Sequence, residues 1–420
     1  MSEVLDFYQK QAKAAFSHIP WVATLQEKGL QELCRLGFPN RHNEDWKYTL
    51  VDSLLKKTYD KPQERPSESA VASDIAVGHF ISIQNGTVLG LEEAKTNLPA
   101  GVVIQPLFQA LEEHSEKLQP YFDRLLKYEH GFHALNTALL NTGVVLYVPS
   151  GIIIDEPIVL SHWQDQEQAS HCRYLIVLEE GSEATVIEDY HGIEGCNYFT
   201  NTVTEIFTGS NAKLVHYKIQ REAKSSYHIG QTSVFQAKNS QFHSHSLSIG
   251  GKLVRSDIRI DLADEKAQAL MNGIYAPSEG QHIDHHTAVH HLVPNCRSEQ
   301  DYKGILTGRS RAVFNGKVIV AKQAQHSEAR QQNKNLLLSN HAEIDSKPQL
   351  EIFADDVVCT HGATVGQLDE EALFYLATRG INREEASQYL IQAFTEENIQ
   401  MISHPKLAEW MRALLHRQLR

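Results

Sequence analysis

The chain has 420 residues, enough to bury a large core in one to three domains. Its composition, with 41% hydrophobic and 22% charged residues, is that of a globular protein, and its formal charge of −13 disfavours binding to nucleic acid or to an anionic membrane surface. The sequence has neither a signal peptide nor an apolar run approaching the roughly 20 residues that cross a bilayer, which predicts a cytoplasmic protein.

The five cysteines predict free thiols. Their number is odd and no two form a C-x-x-C pair, so a disulfide framework is not expected. For the same reason, a metal or cluster site built from the thiolates of one chain alone is not expected.

The N-terminal region, residues 1–142, is predicted to be mostly helical. Apolar residues recur at three- and four-residue spacing through much of residues 3–60, and Gly37 and Pro39 interrupt this pattern. Residues 61–70, KPQERPSESA, are typical of a linker or surface loop. The leucines between 107 and 126 predict a further helix at about 104–140.

Residues 143–367 are predicted to form strands and turns only. Alternating and β-branched runs such as RYLIVLEEG and AVFNGKVIV follow one another, and no helical period persists. The turns also resemble one another: GSEATV begins at Gly181 and GSNAKL at Gly209, 28 residues apart. Self-similarity at such a period indicates stacked coils, so we predict a right-handed parallel β-helix, a solenoid. The alternative is a closed cupin barrel.

Helices are predicted again in residues 368–420. Asp369, Asn382 and Ser403 are candidate N-caps, and Gly380 is placed to end the first helix. These helices could cover the open end of a solenoid or bind a partner.

Histidines are concentrated in GQHIDHHTAVHHLVPNC, residues 280–296. In a strand, His282 and His286 would lie on one face and His285 on the other, and a structural role is favoured because a metal site needs ligands that converge. His243 and His245 form an H-x-H motif, as in cupins. A metal-dependent cupin-like enzyme that uses this histidine cluster is therefore the alternative function. The phosphate-binding loop of ATPases and the G-x-S-x-G nucleophile motif are both missing.

The segment DDVVCTHGATVG, residues 355–366, contains the main candidate site. In a strand, Cys359 and His361 would lie on the same face, roughly 6.6–7 Å apart along the chain. Two ligands are too few for a closed metal site. We therefore interpret the pair as half of a site whose other half lies across an interface.

The sequence also resembles the SufB/SufD family of iron–sulfur cluster assembly proteins. The similarity is carried by HIDHHTAVHHLVPNCRSEQDYKGIL, by GKVIV and by the long run from Gln332 to Gly380, while GFPNRHNEDWKYT near the N-terminus matches the SufD branch. Where SufB has a cysteine thought to receive the cluster, this sequence has Ala342, and Gly362 replaces a glutamate of SufB. Both differences favour the SufD branch.

The resemblance implies a β-helix core between helical N- and C-terminal regions, and a non-catalytic subunit that assembles with SufB and the ATPase SufC. It implies that SufC binds residues 368–420 and that the isolated chain forms a homodimer. It also implies that His361 acts as a metal ligand, with Cys359 as an accessory thiol, for a nascent iron–sulfur cluster shared transiently with SufB. Whether a flavin binds the complex is not readable from the sequence.

Overall fold

The structure, a computed structural model, describes residues 2–62 and 73–419. Most of the linker predicted at 61–70 lies outside the described residues. None of the helices in these ranges has both the length and the apolar character needed to span a bilayer.

The N-terminal region combines short helices with three strands. Residues 104–140 do not form the single helix expected from the leucine spacing, because Val103–Pro106 pairs with the first solenoid strand and the remainder is broken into three helices. Two 3-10 turns span Glu44–Trp46 and Leu54–Lys56. The other elements are α1 (Ser2–Lys13), α2 (Pro20–Leu36), β1 (His79–Gln84), β2 (Thr87–Leu89), α3 (Leu91–Thr96), β3 (Val103–Pro106), α4 (Leu107–Glu113), α5 (Ser115–Leu118) and α6 (Gly131–Ala138).

The core is a parallel β-solenoid of about eight turns, as predicted. Its odd- and even-numbered strands form two facing sheets, with β1 and β2 extending the first sheet and β3 ending the second. The strands are β4 (Thr142–Val148), β5 (Ile158–Gln164), β6 (Ala169–Leu178), β7 (Glu183–Gly192), β8 (Phe199–Thr208), β9 (Lys213–Gln220), β10 (Tyr227–Gln236), β11 (Gln241–Ser248), β12 (Leu253–Leu262), β13 (Gln268–Tyr275), β14 (His282–His291), β15 (Arg297–Leu306), β16 (Arg311–Val320), β17 (Glu328–Leu337), β18 (Glu343–Ile352) and β19 (Val358–Gly366).

The interior of the solenoid is built from columns of residues in register. Partners on neighbouring parallel strands project in the same direction, so one inward position recurs at each coil, roughly every 30 residues. One such column contains Ala184, Leu214, Phe242, Ala269, Ser298, Ala329 and Cys359. All of its members except Cys359 are buried.

Helices cover the outer faces of both sheets. Apolar side chains of α1 and α6 pack on outward residues of β6, β8, β10 and β12, in the second sheet. Apolar side chains of α9 pack on outward residues of β5, β7, β9, β11, β13 and β15, in the first sheet. The domain boundaries at 142/143 and 367/368 stay predictions, although β1 and β3 join the sheets from the N-terminal side.

The C-terminal helices are α7 (Glu370–Thr378), α8 (Arg383–Ile399) and α9 (Pro405–Gln418). The side chains of Asp369 and Asn382 accept hydrogen bonds from the first turns of α7 and α8, as their N-cap positions predicted. Ser403 is not an N-cap, because α9 begins at Pro405 with His404 before it. Since α9 packs against the side of the solenoid, it does not cover the end formed by β18 and β19.

Two buried histidines are expected to contribute to the pH dependence of stability. The Nε2 atoms of His285 and His291 are hydrogen-bonded to Ser248 and Ser298, and burial lowers both pKa values to about 4. Between pH ~6.5 and ~4 these two histidines are protonated in the unfolded chain but neutral in the folded chain. The free energy of unfolding should therefore fall as the pH drops through this range, by up to about 1.4 kcal/mol per unit for each histidine.

Urea unfolding at several pH values measures this dependence. Replacing both histidines by glutamine should make the dependence shallower across the same range. An unchanged slope in the double variant would show that other groups cause it.

Candidate functional site

The strand that carries Cys359 and His361 is the last strand of the solenoid. Strand β19 pairs in parallel with β17 on one side, and the first sheet ends there. Cys359 is in register with Ala329 and His361 with Gln331, and both partners are buried inside the solenoid. The thiol and the imidazole therefore occupy inward positions on a coil that no further coil covers.

The surroundings of the two side chains follow from this position. His361 is exposed and Cys359 is partly buried against a small apolar cluster that includes Ala329 and Val318. Burial raises the pKa of the Cys359 thiol, and a hydrogen bond to the backbone of Ala329 acts in the opposite direction. Cys359 is thus mainly a thiol at neutral pH, whereas His361 is open to a ligand or a partner.

This chain does not complete a metal site around the pair. Among residues 2–62 and 73–419, neither Cys359 nor His361 belongs to a group of three converging histidine, cysteine or carboxylate ligands. On the facing strand β18, Leu350 belongs to the same apolar cluster as Cys359, and this strand supplies no thiolate or imidazole.

The backbone next to the pair is also open. The N–H of Val358 donates to the carbonyl of Ser327, which fixes the alternation along β19. The backbone groups of Cys359, His361, Ala363 and Val365 therefore point away from β17, towards the free edge. Such an edge can pair with a strand of another chain.

The histidines of β14 lie on both faces of the strand. In β14 the side chains of His282 and His286 project outward and that of His285 inward, as predicted. His286 contacts Asp284 at 3.0 Å and His290 contacts Asp261 at 2.9 Å. These imidazoles contact neighbouring carboxylates and arginines and are not grouped around one point.

The cupin-like alternative is wrong about the fold. The strands form an open solenoid with free ends, not a closed barrel. His243 and His245 project from the outer face of the first sheet, because their neighbours Phe242 and Ser244 are the inward residues of β11. His286 lies on the outer face of the second sheet, so the two histidine groups cannot share a metal ion.

One cluster of potential ligands was missed. His130, His133 and Asp257 each offer a ligand atom, and these atoms lie within 4.8 Å of one another. The sequence signal is the H-x-x-H spacing in EHGFH, which places both histidines on one side of a helix turn. Asp257, more than 120 residues away, carries no local signal.

Comparison with protein families covers nearly the whole chain. Residues 1–160 match the model of the SufBD protein N-terminal region. Residues 161–394 match that of the SUF system FeS cluster assembly SufBD core domain. The chain belongs to the SufBD family.

Relatives in the SufBD family include named cluster assembly proteins. The chain is 31% identical to the iron-sulfur cluster assembly protein SufD of Escherichia coli, over 94% of this chain and 92% of that protein. It is 30% identical to a SufBD family protein of Synechocystis, over 87% and 84% of the two chains. It is also 30% identical to the chloroplastic protein ABCI7 of Arabidopsis thaliana, over 92% and 84%. The predicted membership of the SufD branch is confirmed.

Proposed function

We propose that this chain is a non-catalytic subunit of a cytoplasmic iron–sulfur cluster assembly complex, in which it pairs with SufB and the ATPase SufC. The curated relatives are named for cluster assembly, which supports the process. All five cysteines are free, which fits a reducing compartment.

The proposal depends above all on where Cys359 and His361 lie. They are inward residues of an uncovered last coil, beside backbone groups that point to a free edge. A second solenoid docked end to end would continue both sheets and cover the two side chains. The resulting interface would contain the thiol, the imidazole and whatever ligands the partner provides.

A nascent cluster is the proposed cargo of this interface. His361 is the proposed metal ligand of this chain and Cys359 an accessory thiol, and SufB supplies the remaining ligands. In the absence of SufB, two copies of this chain are proposed to pair through the same end as a homodimer. A flavin in the complex remains outside this proposal, since no described residue argues for its binding.

The proposed docking surface for SufC is on α7. Phe374 and Tyr375 are 72% and 57% exposed, whereas the neighbouring Leu373 is buried. Exposed aromatic side chains on a helix are typical anchors for a protein partner. Helix α7 is also separate from α9, whose apolar side is already packed on the solenoid.

Replacing His361 by alanine should abolish cluster formation and leave the complex intact. The exposed imidazole contributes little to the fold, but it is the metal ligand that this chain brings to the interface. The measurement is co-purification with SufB and SufC, followed by cluster reconstitution monitored by visible absorption. The matched control is His341→Ala, at an exposed turn. Normal cluster formation by His361→Ala would refute the site assignment.

Replacing Phe374 by glutamate should weaken SufC binding by at least about tenfold, because an apolar anchor is lost and a charge is placed in the interface. The substitution avoids deleting residues 368–420, which would uncover the apolar face under α9. The measurement is SufC affinity by calorimetry, with Ile193→Glu on an exposed loop as control. Equal affinities for the two variants would contradict docking on α7.

A further inference from the structure

A second group of potential metal ligands lies far along the chain from the solenoid end. His130 immediately precedes α6 and His133 is in its first turn, while Asp257 projects from the outer face of β12. Glu129 and His133 line a pocket of about 280 Å³ together with Asp257. The pocket lies where the N-terminal region packs on the second sheet.

Three buried nitrogens in this group have no hydrogen-bond partner. They are Nδ1 and Nε2 of His130 and Nδ1 of His133, and the two residues are only 8% and 5% exposed. The nearest carboxylate atom, Oδ2 of Asp257, is 3.9 Å from His130 Nε2, too far for a hydrogen bond. Each unpaired buried polar group costs roughly 1–3 kcal/mol. Three unpaired nitrogens in one cluster therefore favour the presence of a ligand.

The two imidazoles are poised to donate lone pairs. Their ring centroids are 3.7 Å apart, and burial lowers both pKa values, which keeps the rings neutral. Nδ1 of His133 has no hydrogen-bond partner and could therefore bind a metal ion.

The charges that line the pocket are mixed: Asp45, Glu129 and Asp257 are acidic, whereas Lys127, Arg255, Arg259 and Lys317 are basic. Burial and then the charge of Asp257 raise the pKa of Glu129, so the two carboxylates repel each other. Arg255 contacts Oδ1 of Asp257 at 2.9 Å, but it also contacts Asp284, at 3.1 Å. Nε and Nη2 of Arg255 also donate hydrogen bonds to Oδ2 of Asp257, both at 3.3 Å, so a metal ion would compete with this guanidinium for the carboxylate.

We propose that His130, His133 and Asp257 bind one divalent first-row transition-metal ion. Two imidazoles and one carboxylate form an open site of the kind that holds such ions, with the remaining positions left to water. Metal–ligand bonds of about 2.1 Å require the three ligand atoms to approach by only about 1 Å. Glu129 lines the same pocket as a further carboxylate. This site is separate from His361 and does not depend on the cluster proposal.

Binding of Co(II) by the full-length, metal-free chain tests the proposal. Cobalt reports its own ligands through visible absorption, and equilibrium dialysis gives the stoichiometry. To separate this site from the solenoid end, the reference protein carries His361→Ala. It should bind one equivalent, and addition of His133→Gln should weaken binding by at least about 100-fold, since even residues that only orient metal ligands change affinity by 10–100-fold.

Two further variants and a check of folding complete the test. The variant Asp257→Asn removes the carboxylate charge at nearly constant volume and should also lose the cobalt spectrum, whereas His326→Gln, at an exposed turn, should keep it. Circular dichroism of each variant without metal checks the fold. If the folded reference protein binds no Co(II), or binds it equally well after His133→Gln, the proposal is wrong.

Discussion

Replacing Val365 by lysine is expected to convert the isolated chain to a monomer and to abolish its pairing with SufB. Val365 is 53% exposed at the solenoid end, in register with the buried Asn335. A docked solenoid would cover this position, so the substitution would bury an unpaired ammonium group. Such a charge costs about 3–5 kcal/mol, or a loss of at least about 100-fold in affinity.

The matched control is Thr364→Lys, one residue away. Its side chain is exposed and points to the outer face of β19, so the same charge should be tolerated. Light scattering after size exclusion gives the oligomeric state, and co-purification gives SufB binding. Equal pairing by the two variants would contradict docking through this end.

Replacing Arg173 by methionine is expected to lower the free energy of unfolding by about 3–5 kcal/mol. Arg173 is fully buried and contacts Glu205 at 3.0 Å and Asp123 at 3.2 Å. It also donates hydrogen bonds to Asn136 and Thr137 of α6. Without the guanidinium, Glu205 loses its counter-charge, Asp123 keeps only Lys28 at 3.8 Å, and α6 loses two of its hydrogen bonds with β6.

Urea unfolding monitored by circular dichroism measures this loss. The control is Arg35→Met, because Arg35 is 63% exposed and its pair with Glu32 is worth less than about 1 kcal/mol. A comparable change in both variants would mean that the buried network contributes no more than a surface pair.

The solenoid could be predicted because each coil repeats a local pattern. The turns at Gly181 and Gly209 and the alternating strands between them follow from the sequence alone. The prediction for residues 104–140 was less accurate than that for the solenoid, because the pairing of β3 with β4 overrides the helical spacing of the leucines. A tertiary contact of this kind leaves no periodic signal.

The candidate site was likewise only partly predictable from the sequence. The shared face of Cys359 and His361 follows from strand geometry, and residue similarity supplied the family. Their place at an uncovered end required the structure, since only the register with Ala329 and Gln331 shows that they point inward. The cluster of His130, His133 and Asp257 escaped prediction because long-range packing brings its members together.

The most direct test of the central claim is whether His361 binds the cluster at the interface with SufB. Chains labelled with ¹⁵N-histidine would be assembled with unlabelled SufB and SufC, and the reduced cluster examined by pulsed electron paramagnetic resonance. The account predicts a ¹⁵N hyperfine coupling in the wild-type complex and no cluster signal in a complex built with His361→Ala. A cluster without this coupling in the wild type, or one that keeps it in His361→Ala, would contradict the account.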